Sequence, residues 1–177
     1  MPNLNYDIKD VPQGVPQDVA QTLAKIIVEK MKNAIKITIK SEESNMMMPL
    51  EKELETNQTL SIYEDGRVYW TRHYMHGTYF DEEVQLVKRI ERRRFKIKDE
   101  EAKYILALAK AYFISDCKLC EVIDAGVWGV NLEFDDGSLI NAVGDLFSDI
   151  KELSYITNVI RKVTDNYDIW AFTGEYR

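Results

Sequence analysis

Two Asp-Gly turns, each flanked by residues that alternate in polarity, constrain the fold of this chain more than any other feature of its sequence. One turn lies at residues 64–66, within the run 60–74, and the other at residues 135–137, directly after the run 128–134. An Asp-Gly dipeptide between alternating apolar residues is the strongest short-range signal of a β-hairpin. The sequence therefore predicts an antiparallel sheet that contains two hairpins.

The register of the first hairpin follows from its apolar residues, because a slip of one residue moves every side chain to the opposite face of the sheet. A three-residue loop ending at Gly66 pairs Ile62 with Val68 and Leu60 with Trp70, which gives one continuous apolar face. A two-residue loop breaks that face. We therefore predict the three-residue loop, with Gly66 in the left-handed conformation.

The same test favours a different loop at the second turn. A two-residue Asp136-Gly137 loop places Phe134 opposite Leu139 and Val130 opposite Val143, so we predict that loop here. The residues that then line one face are Trp128, Val130, Leu132 and Phe134. Since strand, Asp-Gly turn, strand and helix occur twice in this order, a degenerate duplication is an open alternative.

Hydrophobic period and helix-end residues predict the other elements. Residues 1–15 are expected to be an irregular lead-in, followed by an amphipathic helix that begins at Pro16 and a strand at 35–40. Residues 41–58 show no clear period and are predicted as a loop. Further helices are expected from an N-cap at Asp99 and from near Ser154, and residues 167–172 are expected to form a short strand or a docked tail.

Residues 81–97 are consistent with either a helix or a strand. A helix would have acidic residues at its start and basic residues at its end, which suits the helix dipole. A strand is favoured over the second half, because a helix would leave Phe95 and Ile97 without a shared face. The whole pattern predicts an α+β domain: an antiparallel sheet from two Asp-Gly hairpins, with two or three helices packed on one face.

Composition limits the class of protein. The chain has 177 residues, of which 45% are hydrophobic and 11% aromatic, which suffices for a buried core and excludes disordered and collagen-like proteins. We expect one domain over residues 16–177. No run approaches about 18 apolar residues and no signal peptide precedes the domain, so no membrane contact is expected. Two cysteines are too few for a disulfide framework, which indicates a reducing, cytoplasmic location.

Several segments, taken in order, resemble those of a known group of proteins. They are LSIYEDG at 60–66, RFKI at 94–97 with the helix ending AYF at 111–113, WGVNLEFDDG at 128–137, the stretch 153–161 and DIWAF at 168–172. Over about residues 58–174 the chain resembles small uncharacterised proteins of low-GC Gram-positive bacteria. The resemblance implies an α+β fold and a bacterial cytoplasmic setting. That group has no assigned activity, so the resemblance implies no catalytic residue.

Four soft metal ligands occur as two pairs of equal spacing: His73, His76, Cys117 and Cys120. Two imidazole nitrogens and two thiolates would satisfy a tetrahedral zinc ion. Their order and the gap between the pairs differ from those of zinc fingers, and the two histidines fall on opposite faces if a strand continues through them. We therefore expect no metal and no other cofactor, with zinc at these four residues as the alternative.

Residues 88–98 are the most basic part of an acidic chain. They include seven basic residues and one acid, Glu91, although the whole chain has a net charge of −7. Candidate contacts to phosphate or to an acidic partner are Arg89, Arg92, Arg93, Arg94 and Lys96. Such a run attracts nucleic acid or acidic proteins, and aromatic residues near it in sequence could stack on bases. A solvated strand face paired with the protein's own acids is the simpler interpretation.

The sequence contains no complete catalytic set. It has two histidines, and it lacks a nucleophile elbow, a phosphate-binding glycine loop and an H-E-x-x-H motif. We therefore expect a non-catalytic cytoplasmic interaction module, of an immunity or adaptor type, with a protein partner. The alternative is a nucleic-acid-binding protein that uses residues 88–98, and a homo-oligomer is also compatible with the sequence.

Overall fold

The computed structural model describes residues 32–43, 50–77, 87–115, 126–147 and 149–173. Their strands and helices belong to one compact unit, Ala34–Arg177. In chain order they are β1 (Ala34–Glu43), β2 (Leu50–Tyr63), β3 (Arg67–Gly77), β4 (Val87–Lys96), α1 (Asp99–Ile114), β5 (Gly126–Phe134), β6 (Leu139–Asp145) and α2 (Lys151–Thr164). The predicted lead-in and the predicted helix from Pro16 lie outside the described residues.

The strands form one six-stranded sheet in the order β4-β3-β2-β1-β5-β6. Every neighbouring pair is antiparallel. The prediction of a mixed fold with an antiparallel sheet is therefore confirmed, and the described residues include two of the predicted two or three helices. Among the described strands, β4 and β6 are the edges of this sheet.

Side-chain alternation gives the sheet two different faces. The core face carries buried apolar residues such as Ile37, Leu60 and Val130. Helices α1 and α2 contribute their apolar sides to the same core, which they reach through residues such as Ile105 and Ile160. The opposite side of the sheet, called the polar face below, carries the alternate strand residues.

The predicted register of the first hairpin is confirmed, with Ile62 opposite Val68 and Leu60 opposite Trp70. Gly66 has a φ of +80°, the left-handed conformation that a turn of this kind requires. A Cβ at Gly66 would lie 2.2 Å from the carbonyl oxygen of the residue that precedes α1, Ile97. The turn is therefore packed directly against the connection from β4 to α1.

The predicted register of the second hairpin is wrong by one residue. Predicted partners were Phe134 with Leu139 and Val130 with Val143, whereas the observed pairs are Glu133–Leu139, Val130–Ala142 and Trp128–Gly144. The amide of Gly137 donates to the carbonyl oxygen of Phe134 at 3.0 Å, which makes a three-residue loop like that of the first hairpin. Packing explains this register, because the indole of Trp128 occupies the space beside Gly144.

The prediction of a loop over residues 41–58 is wrong at both ends, because β1 extends to Glu43 and β2 begins at Leu50. The middle of that stretch, residues 44–49, lies outside the described residues. Polar residues on the core face hide the strand period. Ser41 and Gln58 are each 2% exposed, and both bind the segment after α2: the Ser41 hydroxyl donates to the Ala171 carbonyl at 2.5 Å. Two forms were predicted for residues 167–172, a short strand and a docked tail. The structure has the docked tail, with Ile169 and Phe172 fully buried.

Element boundaries differ slightly from the predictions. The favoured strand over the second half of 81–97 is confirmed as β4. The N-cap of α1 is Lys98 rather than Asp99, and its backbone N–H donates to the Glu101 carboxylate at 3.2 Å. Helix α2 begins at Lys151 instead of near Ser154. Neither helix is long and apolar enough to cross a membrane, as far as the described part of the chain extends.

Candidate functional site

Strand β4 distributes the five basic candidate residues over both faces of the sheet. Arg93 lies opposite Trp70 and Arg89 opposite Tyr74, which places these two arginines on the core face, where about half of each side chain is exposed. The other three candidates lie on the polar face: Arg92, Arg94 and Lys96, opposite Thr71, Tyr69 and Arg67. The single basic patch predicted from composition is therefore two separate surfaces.

The two arginines on the core face are held by acidic residues. Arg89 binds Glu53 through two hydrogen bonds of 2.6 and 2.9 Å, and its guanidinium lies 3.9 Å from the centre of the Tyr74 ring. Arg93 donates to Glu91 at 2.6 Å, and this hydrogen bond lowers the pKa of the Glu91 carboxyl. Both cations are therefore engaged in contacts within the protein.

A buried ion pair lies beside them. Arg72 donates to both carboxylate oxygens of Glu55, at 2.8 and 2.6 Å, and the two side chains are 13% and 5% exposed. The hydrogen bond that Arg72 donates to Glu55 raises the pKa of the Arg72 guanidinium. The guanidinium also lies 4.8 Å from the Trp70 ring centre. Because a bidentate pair satisfies both charges, this arrangement fixes structure and leaves no free acid or base.

Gln58 completes this buried network. Its side-chain oxygen accepts from the Trp70 indole at 2.9 Å and from the backbone N–H of Trp170 at 3.0 Å. Its amide nitrogen donates to the carbonyl oxygen of Asp168 at 2.7 Å. Sequence reasoning missed Gln58 and Glu55, because both lie in the stretch predicted as a loop.

The polar face carries a row of tyrosines and cations. The ring centres of Tyr63 and Tyr69 are 5.6 Å apart with an interplanar angle of 70°. The Arg67 guanidinium lies 4.7 Å from the Tyr63 ring centre, and that of Arg94 lies 4.8 Å from the Tyr69 ring centre. The Lys36 ammonium is 5.4 Å from the Tyr63 ring centre. We call this row, with Arg92, the tyrosine–arginine surface.

The charges on this surface are unequally neutralised. Lys36 donates to Glu133 at 2.5 Å, a hydrogen bond that raises the pKa of the Lys36 ammonium. Arg67 pairs with Asp65 at 2.7 Å. Arg92 and Arg94 are exposed, and neither forms an ion pair with any residue that the structure describes. Exposed guanidinium groups of this kind are available to bind carboxylates or phosphates.

Sequence reasoning found three basic β4 residues of the polar face, Arg92, Arg94 and Lys96, but missed its tyrosines. Tyr63 and Arg67 flank the first turn, outside the basic run. The hairpin register predicts their position. Because Ile62 and Val68 face the core, alternation places their neighbours Tyr63, Arg67 and Tyr69 on the opposite face.

The expectation of no metal stays a prediction, with zinc at the four paired ligands as its alternative. His73 is partly exposed on the polar face, and β3 continues through His76. Cys117 and Cys120 lie outside the described residues. Within the described ranges, no group of three or more His, Cys, Asp and Glu residues is placed to hold a metal ion.

An apolar groove of about 430 Å³ lies between α1 and α2. Leu108 and Tyr112 line its α1 side, and Tyr155 and Ile156 line its α2 side. The groove is thus separated from the tyrosine–arginine surface by the thickness of the sheet and the core.

No family model, no curated protein and no solved structure matches this chain. Its function must therefore be inferred from the geometry of its own surfaces.

Proposed function

We propose that the protein is a non-catalytic interaction module that binds an acidic protein segment on the polar face of its sheet. The observation that carries this proposal is the pair of exposed guanidinium groups, Arg92 and Arg94, beside the tyrosine row. Sequence composition indicates the same class of function, since no complete catalytic set is present.

Carboxylates fit this surface for two reasons. An arginine presents a planar fork of donors that matches a carboxylate with two parallel hydrogen bonds. Stacking of Arg94 on Tyr69 restricts the side chain before binding, which lowers the conformational entropy lost on association. Tyrosine and arginine are also the residues that most often dominate the energy of protein interfaces.

Single-stranded nucleic acid fits the same surface less well. Base stacking needs exposed aromatic faces on which successive bases can lie. Here arginines lie over the rings of Tyr63 and Tyr69, and the two rings meet edge to face. The arrangement therefore favours recognition of carboxylates over stacking of bases.

The test is a comparison of two charge-reversal variants by fluorescence anisotropy. One is Arg92→Glu with Arg94→Glu on the polar face. The matched control is Lys103→Glu with Lys162→Glu, two exposed positions on the helices, which changes the net charge by the same amount. The probes are a labelled polyglutamate peptide and a labelled single-stranded RNA of similar length.

We expect the wild type and the helix variant to bind the peptide in a salt-sensitive manner, and the sheet variant to bind at least about tenfold more weakly. Equal losses in both variants would show that only net charge matters and would contradict the proposal. Tighter binding of RNA than of peptide, lost in the sheet variant, would replace it with the nucleic-acid function. A native pull-down with the same three proteins would then identify the physiological partner.

A further inference from the structure

The two edge strands of the sheet differ sharply in charge. Strand β4 carries basic residues along most of its length, which protects an open edge from pairing with another chain. Strand β6 reads LINAVG before its final aspartate and has neither a charge nor a proline in those six residues. Within the described residues, β6 pairs only with β5. An uncharged open edge is a template for pairing with another strand.

The hydrogen-bond pattern shows which backbone groups of β6 point away from β5. The backbone N–H of Phe134 donates to the carbonyl oxygen of Ser138 at 3.0 Å, and the backbone N–H of Leu146 donates to the carbonyl oxygen of Gly126 at 3.1 Å. These bonds mark the even-numbered positions of β6 as those bonded to β5. Because bonded and non-bonded positions alternate in an antiparallel pair, residues 139, 141 and 143 direct their N–H and C=O groups to the open edge.

The side chains at these three positions are self-complementary. Leu139 and Val143 are 55% and 53% exposed, and Asn141 between them is exposed as well. A second β6 strand, antiparallel and centred on Asn141, would place Leu139 opposite Val143 of the second copy and the two Asn141 residues opposite each other. All three outward-facing backbone positions are then hydrogen-bonded pairs, and both apolar side chains become cross-strand neighbours.

We propose that two copies of this protein pair through β6 in this register and join their sheets into one continuous sheet, to which each copy contributes the six described strands. A twofold axis perpendicular to the sheet relates antiparallel strands of this kind. The polar faces of the two copies therefore lie on the same side. Two tyrosine–arginine surfaces on one side would allow bivalent binding of an extended acidic partner. The pairing itself depends on β6 and not on the proposed binding function.

The experiment introduces a charge at position 141, which lies opposite its own copy in the proposed strand pair. Full-length wild type, Asn141→Lys and Asn141→Asp are compared by analytical ultracentrifugation over a wide range of protein concentrations, singly and as an equimolar mixture of the two variants. Like charges directly opposite each other in a strand pair are destabilising, and opposite charges are favourable. The matched control is Ile90→Lys, which adds a lysine at an exposed aliphatic position of the other edge strand.

We expect the wild type and Ile90→Lys to dimerise, each position-141 variant to dissociate at least about fivefold more readily, and the mixture to regain the dimer. Far-ultraviolet circular dichroism of each variant checks that it is folded. A wild type that stays monomeric at all concentrations would overturn the proposal. Dimers that persist in both single variants, or a mixture of folded variants that stays monomeric, would also overturn it.

Discussion

Replacement of Gly144 by alanine tests the contact that sets the register of β5 and β6. A Cβ at this position would lie 2.3 Å from Cζ2 and 2.6 Å from Cε2 of Trp128. The indole cannot move aside easily, because it is 3% exposed and packs against Phe113 and Phe172 with ring centres 6.0 and 5.2 Å away. Forcing an extra methyl group into such a core costs about 1–3 kcal/mol.

Gly129→Ala is the matched control. Gly129 lies on β5, and a Cβ there would have no atom within 4 Å. Alanine in a strand gains about 0.5–1 kcal/mol over glycine because the unfolded chain loses freedom. Since both variants share this gain, the difference between them isolates the clash.

We expect Gly144→Ala to be less stable than Gly129→Ala by about 2 kcal/mol, or roughly 4–8 °C in Tm for a chain of this size. Thermal unfolding followed by circular dichroism, together with urea titration, gives both quantities. Equal stabilities of the two variants would refute the packing of Trp128 on Gly144 and the register derived from it.

Three further predictions concern the two turns, the buried Gln58 and the partly exposed Arg93–Glu91 ion pair. Gly66 and Gly137 have nearly the same φ, +80° and +81°, but of the two only a Cβ at Gly66 would clash with neighbouring atoms. In urea titrations we therefore expect Gly66→Ala to be less stable than Gly137→Ala by about 1–3 kcal/mol. Gln58→Leu leaves two buried N–H groups without their acceptor and should cost about 2 kcal/mol or more, measured in the same way. Arg93→Ala should raise the pKa of Glu91 towards its ordinary value in a carboxyl ¹³C NMR titration. Because the wild-type pKa of Glu91 is lowered, the ion pair stabilises the folded protein fully above the unfolded-state pKa of this carboxyl, and this stability is lost as the pH falls through the folded-state pKa. A Glu91 pKa that is unchanged in the variant would contradict the assigned cause.

The two hairpins show how far residue polarity alone predicts strand register. Around the first turn, only one register places Leu60, Ile62, Val68 and Trp70 together on the core face, so the polarity pattern was sufficient. Around the second turn, polarity was misleading because size decides the pairing. The small Gly144 lies opposite the large Trp128.

The strand residues 41–43 and 50–58 could not be predicted as strand, because several of their core-facing residues are polar. Ser41, Glu55 and Gln58 are buried, which is favourable only when partners satisfy their hydrogen bonds. Those partners include Ala171 and Trp170, more than 100 positions away in sequence. Tertiary contacts therefore compensate a polarity pattern that local reasoning assigns to a loop.

The candidate site was predictable only in part. Composition identified the basic residues 88–98, but strand alternation decides that Arg92 and Arg94 share a face with Tyr69 while Arg89 and Arg93 do not. Proximity in sequence placed all five basic residues in one patch. Proximity in the sheet assigns three of them to the polar face.

Amide chemical-shift mapping tests the central claim, that the polar face of the sheet is the binding surface. Uniformly ¹⁵N-labelled full-length protein would be titrated with polyglutamate peptide, and shift changes would be mapped on the sheet and the helices. We expect the changes to concentrate at Tyr63, Arg67, Tyr69, Arg92 and Arg94, with little change in α1 and α2. Changes concentrated in the helices, or spread evenly over every basic residue of the protein, would contradict the claim.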